Sequence, residues 1–191
     1  KRPEVWSFFI LNFMLQASHG PYYTFFSIHL EQLGYAKIST GALWALGVLA
    51  EVGLFLVMHR LLSAYPMRAI MLCAAALTAL RWLVIAEFSQ FLWVLIAAQL
   101  LHAASYAALH AASVHYIRLH FGDGHQGQGQ ALYSGLTYGA GGATGAWLSG
   151  LLVEWESTVA AFYGGAGFML VGIAAAWLWM RPAPQRAYAS Q

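Results

Sequence analysis

Glu51 stands in the middle of an apolar run, ALGVLAEVGLF. It lies about eight residues, roughly 12 Å of helical rise, from the basic end of that run. An unpaired carboxylate at such a depth in lipid costs at least about 2.5–3.5 kcal/mol. It must be paired, protonated or turned toward water. Burial favours the neutral acid and a nearby cation favours the ionised form. A carboxyl held between those effects can exchange a proton when its surroundings change; the plainer reading is a structural ion pair. Arg81, in LRWLV, is the natural partner. It lies roughly 9 Å from the outer end of its own run. A buried guanidinium can anchor a substrate carboxylate through two parallel N–H donors. From that depth it can equally snorkel to the interface.

A second set of groups forms a stripe. Gln99, His102, Tyr106, His110 and Ser113 recur at spacings of three, four, four and three, with mostly alanine between them. That is one face of a helix. Facing lipid it would be costly, so it should face a bundle interior or a cavity. His102 is near mid-span and can change charge near neutral pH. It can bind substrate or proton, or simply make an interhelical hydrogen bond, and the same two readings apply to His110. In QASHGPYYTFF, Pro21 lacks a backbone donor and Gly20 is permissive, so a helix there should kink. Gln16, His19 and Tyr23 share a face of that segment and either line a site or merely flank a packing kink. Tyr133, Thr137 and Thr144 supply a weaker polar face further on.

The elements that must position these groups are membrane helices. The chain has 191 residues, 60% hydrophobic and 8% charged, and its mean hydropathy is +0.60. Soluble domains carry about 25% charged residues, so a water-soluble globule of this size could not cover its surface. Six stretches are long and apolar enough to span a bilayer: residues 5–30, 38–58, 69–86, 91–117, 130–153 and 159–180. Loops are expected at EQLGYAK, LLSAYPMR, EFSQ, RLHFGDGHQGQG and EWEST. No run alternates with period two as a membrane barrel requires. Lys1, Arg2, Arg60, Arg68, Arg118, Arg181 and Arg186 fall on one side. Lys37, Glu31, Glu87, Glu154 and Glu156 fall on the other. The basic side is expected in the cytoplasm, with both termini.

Other chemistries find little support. Net charge is only +2, so no basic patch argues for nucleic acid. Cys73 is the only cysteine, which leaves no disulfide framework or thiolate metal pair. The eight histidines include no HExxH spacing. GDGHQGQGQ follows no strand and lacks a P-loop lysine. No G-x-S-x-G elbow stands beside a base. No metal and no cofactor are therefore expected, and no enzyme activity. The first apolar run is too long for a signal peptide, and the start at Lys1 reads as a cut inside a longer protein. Gly135, Gly139, Gly141, Gly142, Gly145 and Gly150 cluster in the fifth stretch. The pairs 135/139 and 141/145 are expected to let helix backbones approach closely.

The strings QASHGPYYTFFSIHLEQLGY, ALGVLAEVGLF, LRWLV, AQLLHAASYAALHAASVHYI and GQALYSGLTYGAGGATG resemble the last six helices of major facilitator permeases. The likeness is greatest to the phenylpropionate permease-like family, which is related to the lactose permease group. It runs from Arg2 to Arg181. It implies an all-α membrane protein, the C-terminal half of a major facilitator fold. That half would be one six-helix bundle over residues 1–191, a 3+3 inverted repeat, with the N-terminal six-helix half missing. The lactose permease group carries a glutamate on its eighth helix, an arginine on its ninth and a histidine on its tenth, for sugar binding and proton coupling. Glu51, Arg81 and His102 look like those residues. A lysine and a glutamate flank that histidine in the group, and here Gln99 and Ser105 stand at those places. Coupling would then have to move to Glu51 or His102.

The expected function is secondary active transport across a bacterial-type inner membrane. Symport of a proton with a small organic acid, such as an aromatic carboxylate, suits the cationic groups Arg81, His102, His19 and His110. The rings of Tyr22, Tyr23, Tyr106 and Tyr133 suit an aromatic body. The alternatives are a neutral sugar or nucleoside held by Gln16, Tyr23, Gln99 and Tyr106, or a structural membrane module without transport. The partners expected are a small-molecule substrate, a proton, the lipid bilayer and the missing half.

Overall fold

The structure is a computed structural model and describes residues 3–121 and 124–180. All regular structure among the described residues is helical. The first rod is divided into α1 (Pro3–Ser18) and α2 (Gly20–Gln32). The break falls at His19, because Pro21 in the first turn of α2 has no N–H to return to the Ala17 carbonyl. α3 (Lys37–Ala64) and α4 (Met67–Phe88) follow. The fourth rod joins α5 (Leu92–His102), a π turn (Ala103–Ala107) and α6 (Ala108–His120). The fifth joins α7 (Gln126–Ser134), a second π turn (Gly135–Gly141) and α8 (Gly142–Trp155). α9 (Thr158–Trp179) closes the described chain, capped by Ser157, whose hydroxyl accepts from Ala160 N at 3.2 Å.

Among the described residues, four helices are long and apolar enough to cross a membrane: Lys37–Ala64, Met67–Phe88, Leu92–His120 and Thr158–Trp179. The remaining two expected spans are interrupted, at His19 and around the glycine-rich π turn. Two expected loops are shorter than the apolar pattern suggests. α3 continues past His59 and Arg60, so most of LLSAYPMR is helix. Polar side chains at a helix end can reach water without ending the helix, and the stop belongs instead to Pro66. Tyr65 before it is extended, with φ −126° and ψ 147°. α7 likewise begins at Gln126, inside the expected glycine loop. Gly122 and Asp123 of that loop lie outside the described residues, as do Lys1, Arg2, Arg181, Arg186 and the polar tail beyond Met180.

α9 packs on α1 and α4, and α8 packs on α2. The core holds Phe8, Leu11, Leu15, Tyr22, Trp82 and Phe162, all fully or almost fully buried. The outside is as apolar as the inside: Leu49, Leu56, Trp177 and Leu178 are each at least 65% exposed. Such a surface belongs in lipid or under another hydrophobic body.

The broken first rod is gripped by glycines. A Cβ on Gly145 would overlap the Ala17 carbonyl, the group Pro21 leaves without its helical donor. A Cβ on Gly141 would stand 2.9 Å from Phe13 O, and one on Gly165 2.8 Å from Ser18 O. The 141/145 pair is therefore a close-packing face. At the 135/139 pair a Cβ meets nothing within 4 Å among the described residues. Gly135, Gly139 and Gly141 all lie in the second π turn, and of the three only Gly141 meets the first rod.

Candidate functional site

Three helices bring Glu51, Arg81 and His102 together. His102 ends α5, Arg81 lies in α4 and Glu51 lies in α3. His102 Nε2 stands 2.6 Å from Glu51 Oε1. Its other ring nitrogen, Nδ1, lies 3.0 Å from an Nη of Arg81. A guanidinium only donates, so Nδ1 accepts and Nε2 carries the proton given to Glu51. The imidazole is thus a neutral bridge between a cation and a carboxylate.

Arg81 is fully buried. Its Nε donates to Ala98 O at 2.8 Å and an Nη reaches Gln99 Oε1 at 3.4 Å. The guanidinium lies over two rings, 4.3 Å from the Tyr22 centroid and 4.5 Å from that of Trp82. Tyr22 also donates its hydroxyl to Gln99 Oε1 at 2.8 Å. Every one of these acceptors is neutral. Among the described residues no carboxylate pairs directly with Arg81; Glu51 acts on it through the imidazole. Snorkelling, open to an arginine at this depth, is not what Arg81 does. A cation this buried is held by dipoles and rings and is one ligand short of a direct counter-ion.

His19, at the break in the first rod, is also fully buried. Its Nδ1 lies 2.8 Å from Leu15 O, which can only accept, so Nδ1 bears the proton. Nε2 is left bare and has no partner among the described residues. The cationic role expected of His19 therefore gives way to that of a neutral acceptor. Tyr23 stacks on this ring at 5.8 Å and is itself 47% exposed. Gln16 does not join the cluster in the same way. Its side chain lies against Gly141 and Gly142, and its Oε1 has no partner.

The stripe on the fourth rod continues as a ladder of rings. His102 stacks on Tyr106 at 5.5 Å, and Tyr106 on His110 at 6.2 Å. His110 Nδ1 meets Tyr138 Oη at 2.7 Å and Tyr133 Oη at 3.0 Å. Tyr138 is missing from the residues that periodicity selects. It is five residues after Tyr133, a spacing that an α-helix splays apart. The π turn brings the two hydroxyls to one nitrogen. Ser113 donates to Asn12 Oδ1 at 2.7 Å, tying this rod to the first. Ser105 donates to the His102 carbonyl at 3.1 Å, so its hydroxyl serves the backbone. Thr137 is buried and its hydroxyl has no partner among the described residues. Glu51, Tyr106, His110, Tyr138 and the more exposed Tyr23 line one partly open side of this cluster.

A carboxylate–imidazole–guanidinium line thus runs between three apolar helices. Residues 1–164 match the MFS_1 like family, and the chain belongs to that family, of the major facilitator type. Membership sets it apart from enzymes and makes it a multi-pass helical membrane protein. It is similar to a protein of Escherichia coli (strain K12) described as a probable 3-phenylpropionic acid transporter. The two are 31% identical over 150 residues, which is 78% of this chain and 39% of that relative. The chain thus spans about two-fifths of the length of the curated relative it matches. No solved structure matches it.

Proposed function

We propose that this chain is the C-terminal half of a secondary active transporter that carries a small organic acid, such as an aromatic carboxylate, together with a proton. The half is a six-span bundle over residues 1–191, a 3+3 inverted repeat that faces an N-terminal six-helix half across the partly open side. It sits in a bacterial-type inner membrane with both termini in the cytoplasm.

The observation that carries the reading is Arg81, buried and without a direct carboxylate partner. A substrate carboxylate supplies what the guanidinium lacks, in a fork geometry it is built to hold. The rings of Tyr22 and Trp82 against it, with Tyr23 beside Tyr22 and Tyr106 beside His19, suit an aromatic body. The relative's own described substrate is an acid of this class.

The proton belongs on Glu51. Adding one to His102 would place a second N–H on Nδ1, facing the N–H groups of Arg81. Glu51 can take a proton and still accept from His102 through its carbonyl oxygen. Doing so turns a charge-assisted bond into an ordinary one. The link between α3 and α5 loosens, and Arg81 loses its relayed counter-charge. An arriving carboxylate replaces that charge, so proton and anion bind in support of each other.

The test is uptake of labelled 3-phenylpropionate by the full-length protein in vesicles. Accumulation should follow an imposed pH gradient. Uptake indifferent to the gradient rejects coupling, and unchanged uptake after Arg81→Ala rejects the anchor. Gln99 favours a second reading, because its buried amide nitrogen has no partner and suits a neutral sugar or nucleoside. Competition by neutral against anionic solutes separates the two.

A further inference from the structure

His19 Nε2 is a buried lone pair with nothing to accept among the described residues. Buried polar atoms are nearly always bonded, and the exceptions call for a reason. Here the reason is not a shortage of donors nearby. Three of the donors around the ring are directed elsewhere. The Tyr22 hydroxyl goes to Gln99, and the Trp82 indole N–H goes to Ser18 Oγ at 3.2 Å. Arg81 donates to Ala98, His102 and Gln99. The ring itself cannot turn over to hide the atom. Nδ1 is fastened to Leu15 O, and the faces and edges are walled by Tyr23, Trp82 and Tyr106 at 5.8, 4.8 and 5.5 Å.

We infer that His19 Nε2 is the acceptor for a hydroxyl on the transported acid, so that a side-chain-hydroxylated aryl acid is preferred to the unsubstituted one. The inference rests on the proposed transport of an organic acid anchored at Arg81. Placement limits where the hydroxyl can be. His19 and Arg81 border the same indole, at 4.8 Å from its centroid for the imidazole and 4.5 Å for the guanidinium carbon. A ligand that meets both carries its hydroxyl within a few bonds of its carboxylate, while the aryl ring takes the aromatic wall. A site built to hydrogen-bond a hydroxyl discriminates against the analogue lacking it, because its own polar atom is then left unpaired.

The experiment compares two acids of one carbon skeleton, 3-phenylpropionate and 3-phenyllactate (2-hydroxy-3-phenylpropionate), as competitors of labelled 3-phenylpropionate uptake by the full-length protein. Wild type should bind the hydroxy acid about tenfold more tightly, equivalent to about 1.4 kcal/mol. His19→Asn keeps an amide N–H for Leu15 O but has no atom at the Nε2 position, and should bring the ratio near one. His19→Gln places an amide oxygen near that position and should restore the preference. Equal competition in wild type overturns the inference while leaving the transport reading intact, and that arm needs no variant to fold. A preference unchanged in His19→Asn overturns it as well. Absence of 3-phenylpropionate uptake by wild type overturns the transport reading and this inference together.

Discussion

The Glu51 carboxylate and the His102 imidazole meet at 2.6 Å across two helices, and the far side of the same ring is held by Arg81. The ring is therefore oriented from behind, and Glu51 faces an N–H rather than a lone pair. Glu51→Gln preserves an acceptor oxygen for that N–H at nearly the same volume, yet it cannot take up a proton. Exchange of labelled for unlabelled substrate without a gradient should persist near the wild-type level. Accumulation driven by an imposed pH gradient should disappear. If the variant still concentrates substrate against a gradient, the proton does not travel on Glu51.

Arg81 holds Ala98 O, His102 Nδ1 and Gln99 Oε1 at once, which needs the fork of a guanidinium. Arg81→Lys keeps the charge and loses the fork. Substrate affinity should fall at least about thirtyfold, the lower end (about 2 kcal/mol) for cutting a buried charged contact. Initial uptake rates measured against substrate concentration check this through KM. A KM unchanged in the lysine variant would mean that charge alone suffices.

Tyr22 serves in two ways, as a ring beneath the Arg81 guanidinium and as a donor to Gln99. Tyr22→Phe separates them. It should cost about 0.5–1.5 kcal/mol of stability, the ordinary value of one hydrogen bond. Tyr22→Leu removes the ring from beneath the cation as well and should cost more. Thermal unfolding in detergent measures both. Equal losses would show that the ring contributes nothing beyond its hydroxyl.

Much of this site could be read from residue types, because an ionisable group in an apolar run has few uses. Glu51, Arg81 and His102 stand out for that reason, and spacing alone puts Gln99, His102, Tyr106 and His110 on one face. Regular spacing was also the limit. Tyr138 reaches His110 only because a π turn shifts the helical register, and a 3.6-residue pattern has no term for that. Direction of hydrogen bonding was equally hidden. A histidine in a sequence suggests a cation, whereas the Leu15 carbonyl four residues back makes His19 a neutral acceptor. The ends of α3 and α7 escaped because hydropathy marks where lipid ends, while proline and backbone bonding decide where a helix ends.

The glycines of the fifth rod divide into two kinds, and alanine substitution should tell them apart. Gly145 lies where a Cβ would overlap the Ala17 carbonyl and meet Ala17 Cα at 2.7 Å. Its opposite number, Gly20, meets the Gly145 backbone just as closely, so neither chain can yield without moving the other. These contacts are with backbone, and no side-chain rotamer can relieve them. Gly145→Ala should therefore part α8 from the α1–α2 rod at a cost of about 1–3 kcal/mol or more. Gly135 and Gly139 have open space where a Cβ would go. Alanine there meets no such obstacle and removes part of the entropy that glycine loses on folding, a gain of up to about 0.5–1 kcal/mol. Unfolding temperatures in detergent should fall clearly for Gly145→Ala and hold or rise for Gly135→Ala and Gly139→Ala. The same order should appear in uptake, because the break at His19 is held in place from Gly145. Equal destabilisation by all three substitutions would mean that the rod turns a different face to the first helix, and the placement of His19 would fall with it.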